Sequence, residues 1–448
     1  MQVEIEITGI GSRGQGVGRH EGMVVFVPGA LPGEVVRAEI KEQKKNFARA
    51  ELTEVLRPSP HRRDPFCPYF GRCGGCQLQH MSYEAQLAMK ERIVRDALER
   101  IGRFSAPAVK PVLGMDEPSG YRNKVHYQVG GEKGNLALGF YEEESHRLVA
   151  LDHCPLVDPA LVETANLVKE LADEYGVTPY NWETGEGQLR HLLLRRARTT
   201  GEIMVVFVTG DVPDFPGLEL ARRLMREKQE IVSVIQNVNT GRSRQVLGPD
   251  NRILGGRMQI WDRLCGFAFA LSPSSFYQVN PIQAEKLYSV AGEYAELTEE
   301  DYLYDLYCGV GTIAIILSRR AKKVFGIESV PEAVVDARRN ADLNKVRNAN
   351  FLLGKVEEVL PKMAARRADL KPRVVVLDPP RRGAERSALE VLARLAPEQI
   401  IYVSCNPATL ARDLRILADS GYSLEEVQPV DMFPWTAHVE CVAVLRRG

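Results

Sequence analysis

Nowhere does this chain carry an apolar run approaching the roughly 18 residues that span a bilayer, and its opening Met1-Gln2-Val3-Glu4-Ile5-Glu6 lacks the basic and then apolar layout of an export signal. A soluble, cytoplasmic protein with no membrane partner is expected. Net charge is also nearly absent: 58 Lys and Arg stand against 59 Asp and Glu, a formal balance of -1, so nothing global announces a polyanion. Contacts to nucleic acid must then come from local patches. There is no internal repeat and no low-complexity tract. With no export signal, the eight cysteines point to metal or catalysis rather than to disulfides.

What is present exceeds a single hydrophobic core. At 448 residues and 44% hydrophobic composition the chain should be globular with two or three domains. Residues 1–58 alternate in short strand-like pieces broken by glycine, as in Gly22-Met23-Val24-Val25-Phe26-Val27-Pro28-Gly29, a pattern expected of a small closed β-barrel. Between Arg37 and Arg63 eight basic residues face four glutamates, with Phe47 among them, so base stacking with phosphate contacts is available there. Residues 59–275 open on a cysteine cluster and a helical stretch from Tyr83 to Arg103, and continue as a mainly antiparallel β domain. Residues 276–448 alternate strands near 302–307, 323–327, 350–353, 374–378, 399–403 and 439–445 with helices, the signature of a parallel, doubly wound α/β sheet.

Tyr302-Leu303-Tyr304-Asp305-Leu306-Tyr307 runs into Cys308-Gly309-Val310-Gly311, where glycines let the backbone turn tightly beneath a ligand. Glu328 ends the next apolar strand, where an acidic side chain accepts hydrogen bonds from ribose hydroxyls. The third glycine of a dinucleotide fingerprint is missing, Ala314 holding its place. A cofactor without phosphates does not need it, which favours S-adenosylmethionine over NAD.

Two further elements carry chemistry. The run Ile400-Ile401-Tyr402-Val403 ends in Ser404-Cys405-Asn406-Pro407, and Glu440 follows inside His438-Val439-Glu440-Cys441. Carbon 5 of uracil accepts a methyl group only after a nucleophile has added to carbon 6. Cys405 suits that role, although an ordinary thiol is only about 3% ionised at pH 7 and needs a positive neighbour or proton transfer on attack. Glu440, flanked by Val439 and Val442, can have its pKa raised by burial and then remove the carbon-5 proton. Val374-Val375-Val376-Leu377 leads to Asp378-Pro379-Pro380-Arg381 near the ligand-binding switch region. Cys308 and Cys441 read as packing residues.

These motifs, together with Phe276-Tyr277-Gln278-Val279-Asn280, resemble the RNA uracil-5-methyltransferase family over nearly the whole chain, and residues 1–58 resemble a TRAM domain, an RNA-binding barrel. The resemblance implies a Rossmann-like S-adenosylmethionine methyltransferase domain, Cys405 as nucleophile, Glu440 as base, and Gln278, Tyr307, Glu328 and Asp378 lining the cofactor and base site. Without it, Gln278 reads only as a polar residue at a helix start.

Cys67, Cys73 and Cys76, with glycines between them, allow a tight wrap around a metal, and Cys154 offers a fourth thiolate; spacing alone suits zinc and iron–sulfur equally. Cys67-Pro68-Tyr69-Phe70-Gly71-Arg72-Cys73-Gly74-Gly75-Cys76-Gln77-Leu78-Gln79-His80 resembles the 4Fe–4S motif of the family's ribosomal-RNA branch, which implies that cluster, with His80 and His153 structural. The resemblance implies an enzyme acting on 23S ribosomal RNA, and a monomer is expected. Transfer-RNA uridine, a cytosine-specific relative and a non-catalytic iron–sulfur RNA-binding factor are the competing readings. The stretch Arg190 to Arg198 and the segment Tyr121-Arg122-Asn123-Lys124 are candidates for phosphate contact.

Overall fold

A computed structural model describes residues 1–241, 245–366 and 371–448. The chain forms two compact units, neither continuous in sequence: Met1–Glu117, Val290–Glu296 and Leu360–Gly448 make the first, and Pro118–Ser289 with Leu297–Val359 the second. Among the described residues no helix is long and apolar enough to cross a membrane.

The first unit begins with a closed five-stranded barrel, Gln2–Ile10, Gly16–His20, Met23–Val27, Val35–Gln43 and Phe47–Arg57. Alternation places Val3, Ile5, Ile7, Val25, Val27, Val36, Ala38, Ala48 and Ala50 inside. Closure by the parallel pairing of Met23–Val27 with Phe47–Arg57 leaves no free edge. Gly18 is required by contact rather than by turn geometry, since a Cβ there would lie 2.4 Å from Ile5 and 2.5 Å from the carbonyl of Glu6.

The barrel's basic residues are less free than their number suggests. Arg37 pairs with Glu4 and Glu54, Lys41 with Glu39 and Glu51, Lys44 with Glu42, and Arg57 with Glu6. Arg62 is directed inward, donating to the fully buried Glu34 and to the carbonyl of Gly29. Phe47 remains partly exposed, edge-on to Phe26 at 5.8 Å and with the Lys44 ammonium 5.6 Å from its ring centre.

Beyond the barrel come the cysteine loop and a helix, Tyr83–Arg100, whose N-terminus is capped by the Ser82 hydroxyl at 3.4 Å from the N–H of Ala85. The C-terminal stretch adds strands Val374–Leu377 and Gln399–Ser404, which are parallel, then Glu440–Arg447 and Tyr422–Val430, which are antiparallel to their neighbours. The expected doubly wound pattern therefore ends in an antiparallel hairpin, and Tyr422–Val430 is a strand that the sequence reading does not contain.

In the second unit a seven-stranded sheet has the order Asp250–Gly256, Ile231–Val238, Ile203–Thr209, Leu189–Arg196, Lys124–Glu132, Asn135–Tyr141, Leu148–Ala150. It is antiparallel apart from the pairing of Ile203–Thr209 with Ile231–Val238. Helices Pro159–Glu174 and Gly217–Glu227, absent from the sequence reading, pack on one face over Val125, Tyr127, Leu192, Leu194, Val205 and Phe207. The same unit holds the parallel strands Tyr302–Leu306, Lys323–Glu328 and Ala349–Leu353 with helices Thr312–Leu317 and Pro331–Leu343.

Candidate active site

In the second unit the strand Tyr302–Leu306 ends in a turn of left-handed residues, Tyr307 at φ 66°, Gly309 at 54° and Gly311 at 81°. Only glycine adopts such angles without cost, so Tyr307 is held there by its surroundings. The turn is tied down at three points: the N–H of Cys308 donates to the carbonyl of Ile327 at 3.1 Å, that of Gly309 to the Glu328 carboxylate at 3.1 Å, and that of Ala314 to Asp305 at 2.9 Å. The other Glu328 oxygen accepts from the N–H groups of Ser329 and Val330, at 2.6 and 2.8 Å. Rotation of the carboxylate is thereby fixed.

A Cβ on Gly311 would fall 2.8 Å from Phe351, whereas one on Gly309 would meet nothing within 4 Å. The turn is packed beneath and open above, a cradle for a ligand. Its chemistry fits a nucleoside with a ribose diol and no pyrophosphate. Cys308 is buried against Gly326, and burial raises its thiol well above the ordinary range. It packs, as expected.

Gln278 lies 7% exposed on the loop between Leu271 and Pro281. Arg195, itself buried, fixes that loop by donating to the carbonyls of Ser272 and Ser275 at 3.1 and 2.6 Å. The Ser275 hydroxyl donates to Asp336 at 2.9 Å, and the carbonyl of Val279 accepts from the N–H of Asn123 at 2.9 Å. Phe276, 66% exposed on the same fixed loop, is a flat apolar surface that the sequence motif contained but gave no role. Arg195 is thus no phosphate ligand. Arg190 is not one either, because it stacks on Tyr180 and Trp182 and donates to the carbonyls of Asn239 and Gly241, while Arg196 pairs with Asp158.

In the first unit Cys405 follows directly on the strand Gln399–Ser404, whose last pair with Glu440–Arg447 is Ser404 with Cys441. One further step of that register sets Cys405 opposite Glu440. Glu440 is 5% exposed, and burial, reinforced by the charge of Asp378 and opposed by Arg381, pushes its carboxyl up to about 8. Asp378 keeps part of its surface open, yet burial of the carboxyl pushes it to about 7. The Cys405 thiol is pushed up to about 11 by burial and by Glu440 and Asp378, against the pull of Arg381. One thiol, two carboxyls and one cation therefore sense one another. Cys441 is fully buried and behaves as packing.

Asn406 shows why a polar residue follows the thiol. Its carbonyl oxygen caps the helix Pro407–Asp419 at the N–H of Ala408, 3.0 Å away, and its amide donates to the carbonyl of Arg381 at 3.2 Å. The Arg381 loop is pinned further by Asp413, which accepts from the N–H of Ala384 at 2.8 Å and from the Tyr402 hydroxyl.

Among the described residues no group of three or more His, Cys, Asp or Glu side chains is gathered to hold a metal. Cys67, Cys73 and Cys76 share one loop of the first unit, and Cys154 belongs to the second. The donor chemistry nevertheless suits thiolates: the N–H of Gly75 points to the sulfur of Cys73 at 3.4 Å, and Gln79 donates to Cys76 at 3.3 Å while accepting from the N–H of Cys67 at 3.1 Å. His80 packs against Phe70, with ring centroids 5.4 Å apart and the planes tilted, and burial lowers its pKa to about 4.

The strand-end glycine turn answered by an acidic residue, with chemistry at the carboxyl ends of parallel strands, defines an α/β methyltransferase. The chain belongs to the tRNA (Uracil-5-)-methyltransferase family, whose model matches residues 219–448, and a TRAM domain model matches residues 2–53. It is 45% identical to an uncharacterized RNA methyltransferase of Halalkalibacterium halodurans, covering 99% of this chain and 96% of that one. It is 44% identical to another from Caldanaerobacter subterraneus, covering 99% and 98%. A solved structure, Pyrococcus abyssi tRNA (uracil-54, C5)-methyltransferase in complex with S-adenosyl-L-homocysteine, superposes with a TM-score of 0.79 at 31% identity over 99% of this chain and 100% of that one.

Proposed function

We propose that the protein transfers a methyl group from S-adenosylmethionine to carbon 5 of a uridine in RNA, with 23S ribosomal RNA as substrate. The observation that carries this reading is the register that sets Cys405 opposite Glu440 at the ends of two neighbouring strands. S-adenosylmethionine supplies the electrophilic methyl group; Gln278, Tyr307, Glu328 and Asp378 would hold it. The sulfur of Cys405 adds to carbon 6 of uracil, breaking the 5,6 double bond and placing the electron pair at carbon 5. Because the free thiol lies near 11, its proton must leave as the bond forms, and Arg381 favours the anion. After methyl transfer Glu440 removes the carbon-5 proton, and the returning electron pair restores the double bond and expels the sulfur.

Cys67, Cys73, Cys76 and Cys154 are proposed to hold a 4Fe–4S cluster, supported by the family-like loop and the N–H donors at two of its sulfurs. A transfer-RNA uridine is the second reading, favoured by the likeness to the archaeal tRNA enzyme. Mapping 5-methyluridine in 23S ribosomal and transfer RNA from a deletion strain separates the two. The mechanism is tested with labelled RNA and labelled methyl donor on denaturing gels. Cys405→Ala should give neither adduct nor product, and Glu440→Gln should leave methylated RNA attached to Cys405. Release of product by Glu440→Gln at the parental rate would remove Glu440 from the mechanism, and turnover by Cys405→Ala would end it.

A further inference from the structure

Glu440 is the first residue of its strand, paired with Val430 at the end of Tyr422–Val430, so residues 431–439 form the connection at whose foot it stands. Asp431, next to Val430, is fully buried. One of its oxygens accepts from the Tyr83 hydroxyl at 2.8 Å and the other from the Lys90 ammonium, which also reaches the carbonyl of Phe433 at 3.1 Å. Lys90 is itself fully buried. Gln86 accepts from the N–H of Trp435 at 3.1 Å, and the carbonyl of Trp435 accepts from the N–H groups of Gln77 and Leu78, at 3.1 and 3.0 Å. The N–H of Asp431 donates to Leu113 at 3.0 Å.

Tyr83, Gln86 and Lys90 are spaced i, i+3 and i+7 on one helix, so a single face directs three polar groups at this connection. A buried ion pair contributes little stability beyond what an apolar pair of equal volume would give. It does supply direction. With each oxygen claimed by a different donor, the Asp431 carboxylate cannot rotate, and the backbone next to the base's pairing partner is fixed.

We propose that Tyr83 and Lys90, acting through Asp431, are positioning residues for the base and serve the removal of the carbon-5 proton rather than the attack by Cys405. This rests on the reading of Glu440 as that base. Misplacing a reacting group by about 1 Å costs on the order of a hundred-fold in rate.

The full-length protein is assayed with transcripts of 23S ribosomal and transfer RNA, whichever the parent methylates, and with labelled methyl donor. Lys90→Met and Asp431→Asn are expected to lower kcat by about ten- to a hundred-fold, to leave the KM for RNA within about two-fold, and to accumulate methylated RNA joined to Cys405. A fall in kcat without that adduct would mean that the pair merely supports the fold, and would overturn the proposal. The double variant Lys90→Met/Asp431→Asn removes both charges and nearly keeps the volume; it should melt near the parental temperature and still accumulate adduct. Parental turnover by the double variant would equally overturn it. Glu440→Gln serves as reference: adduct there but not in the Lys90 and Asp431 variants defeats this proposal alone, whereas its absence from Glu440→Gln defeats the assignment of the base.

Discussion

The side-chain amide of Asn406 donates to the carbonyl of Arg381 across 3.2 Å, tying the residue after the thiol to a cation that lowers the pKa of both Cys405 and Glu440. Removing that cation should therefore act on two groups in the same direction.

Arg381→Ala is expected to raise both pKa values, moving the rise of kcat/KM with pH to more alkaline values. At neutral pH the loss should be about ten-fold or more, and roughly one pH unit of added base should recover part of it. Arg381→Lys should behave better than Ala but fall short of the parent, since a point charge replaces a fork. An unshifted profile in Arg381→Ala would show that the cation serves only to bind RNA.

Glu440 makes stability depend on pH in a defined sense. Its carboxyl rises from about 4.5 to about 8 on folding, so between those values the folded state holds the proton more tightly than the unfolded one. Stability contributed by the neutral form is complete below about pH 4.5 and declines as pH climbs towards 8. Glu440→Gln should thus melt at least about 3 °C above the parent near pH 9, with the gap closing near pH 5. A gap independent of pH would place the carboxylate in contact with water.

Protein purified without oxygen should be brown and contain about four irons per chain, and Cys154→Ser should lose metal along with Cys67→Ser. Stoichiometric zinc with no visible absorption would replace the cluster by a zinc site. Full metal retention in Cys154→Ser would remove that residue from the ligand set.

For the barrel, Phe47→Ala should weaken RNA binding by about five- to a hundred-fold, the range of one lost base stack. The salt dependence should change little, because an uncharged ring neutralises no phosphate. Deleting residues 1–58 is a harsher test than the single substitution. It takes Leu31 from its cluster with Leu78, Met81 and Met89 and removes the Glu34 partner of Arg62. The truncated protein should lose stability as well as affinity, measurable as a lower melting temperature.

The sequence made the barrel legible because Val3, Ile5 and Ile7 alternate cleanly, and it made Glu328, Asp378 and Cys405 stand out because each closes an apolar strand, whereas Glu440 opens one and Gln278 lies on a loop. Tyr422–Val430 was hidden by Glu425 and Glu426, where a register shift between Leu424 and Glu426 breaks the two-residue period. Polar residues on buried faces misled in the same manner. Arg190 and Arg195 read as candidates for phosphate contact, and Tyr83, Gln86 and Lys90 received no role beyond a helical stretch, yet all five serve interior carbonyls and carboxylates whose positions only the fold reveals.

Lys90 and Asp431 belong to one compact unit but are separated by most of the chain. At a synthesis rate of about 5–20 residues per second, roughly 20–70 s pass on the ribosome between the two. During that interval the barrel, the cysteine loop and the helix Tyr83–Arg100 exist without the strands that complete their unit. The thiols of Cys67, Cys73 and Cys76 are accordingly present on the nascent chain before Cys405 and Glu440 have been translated.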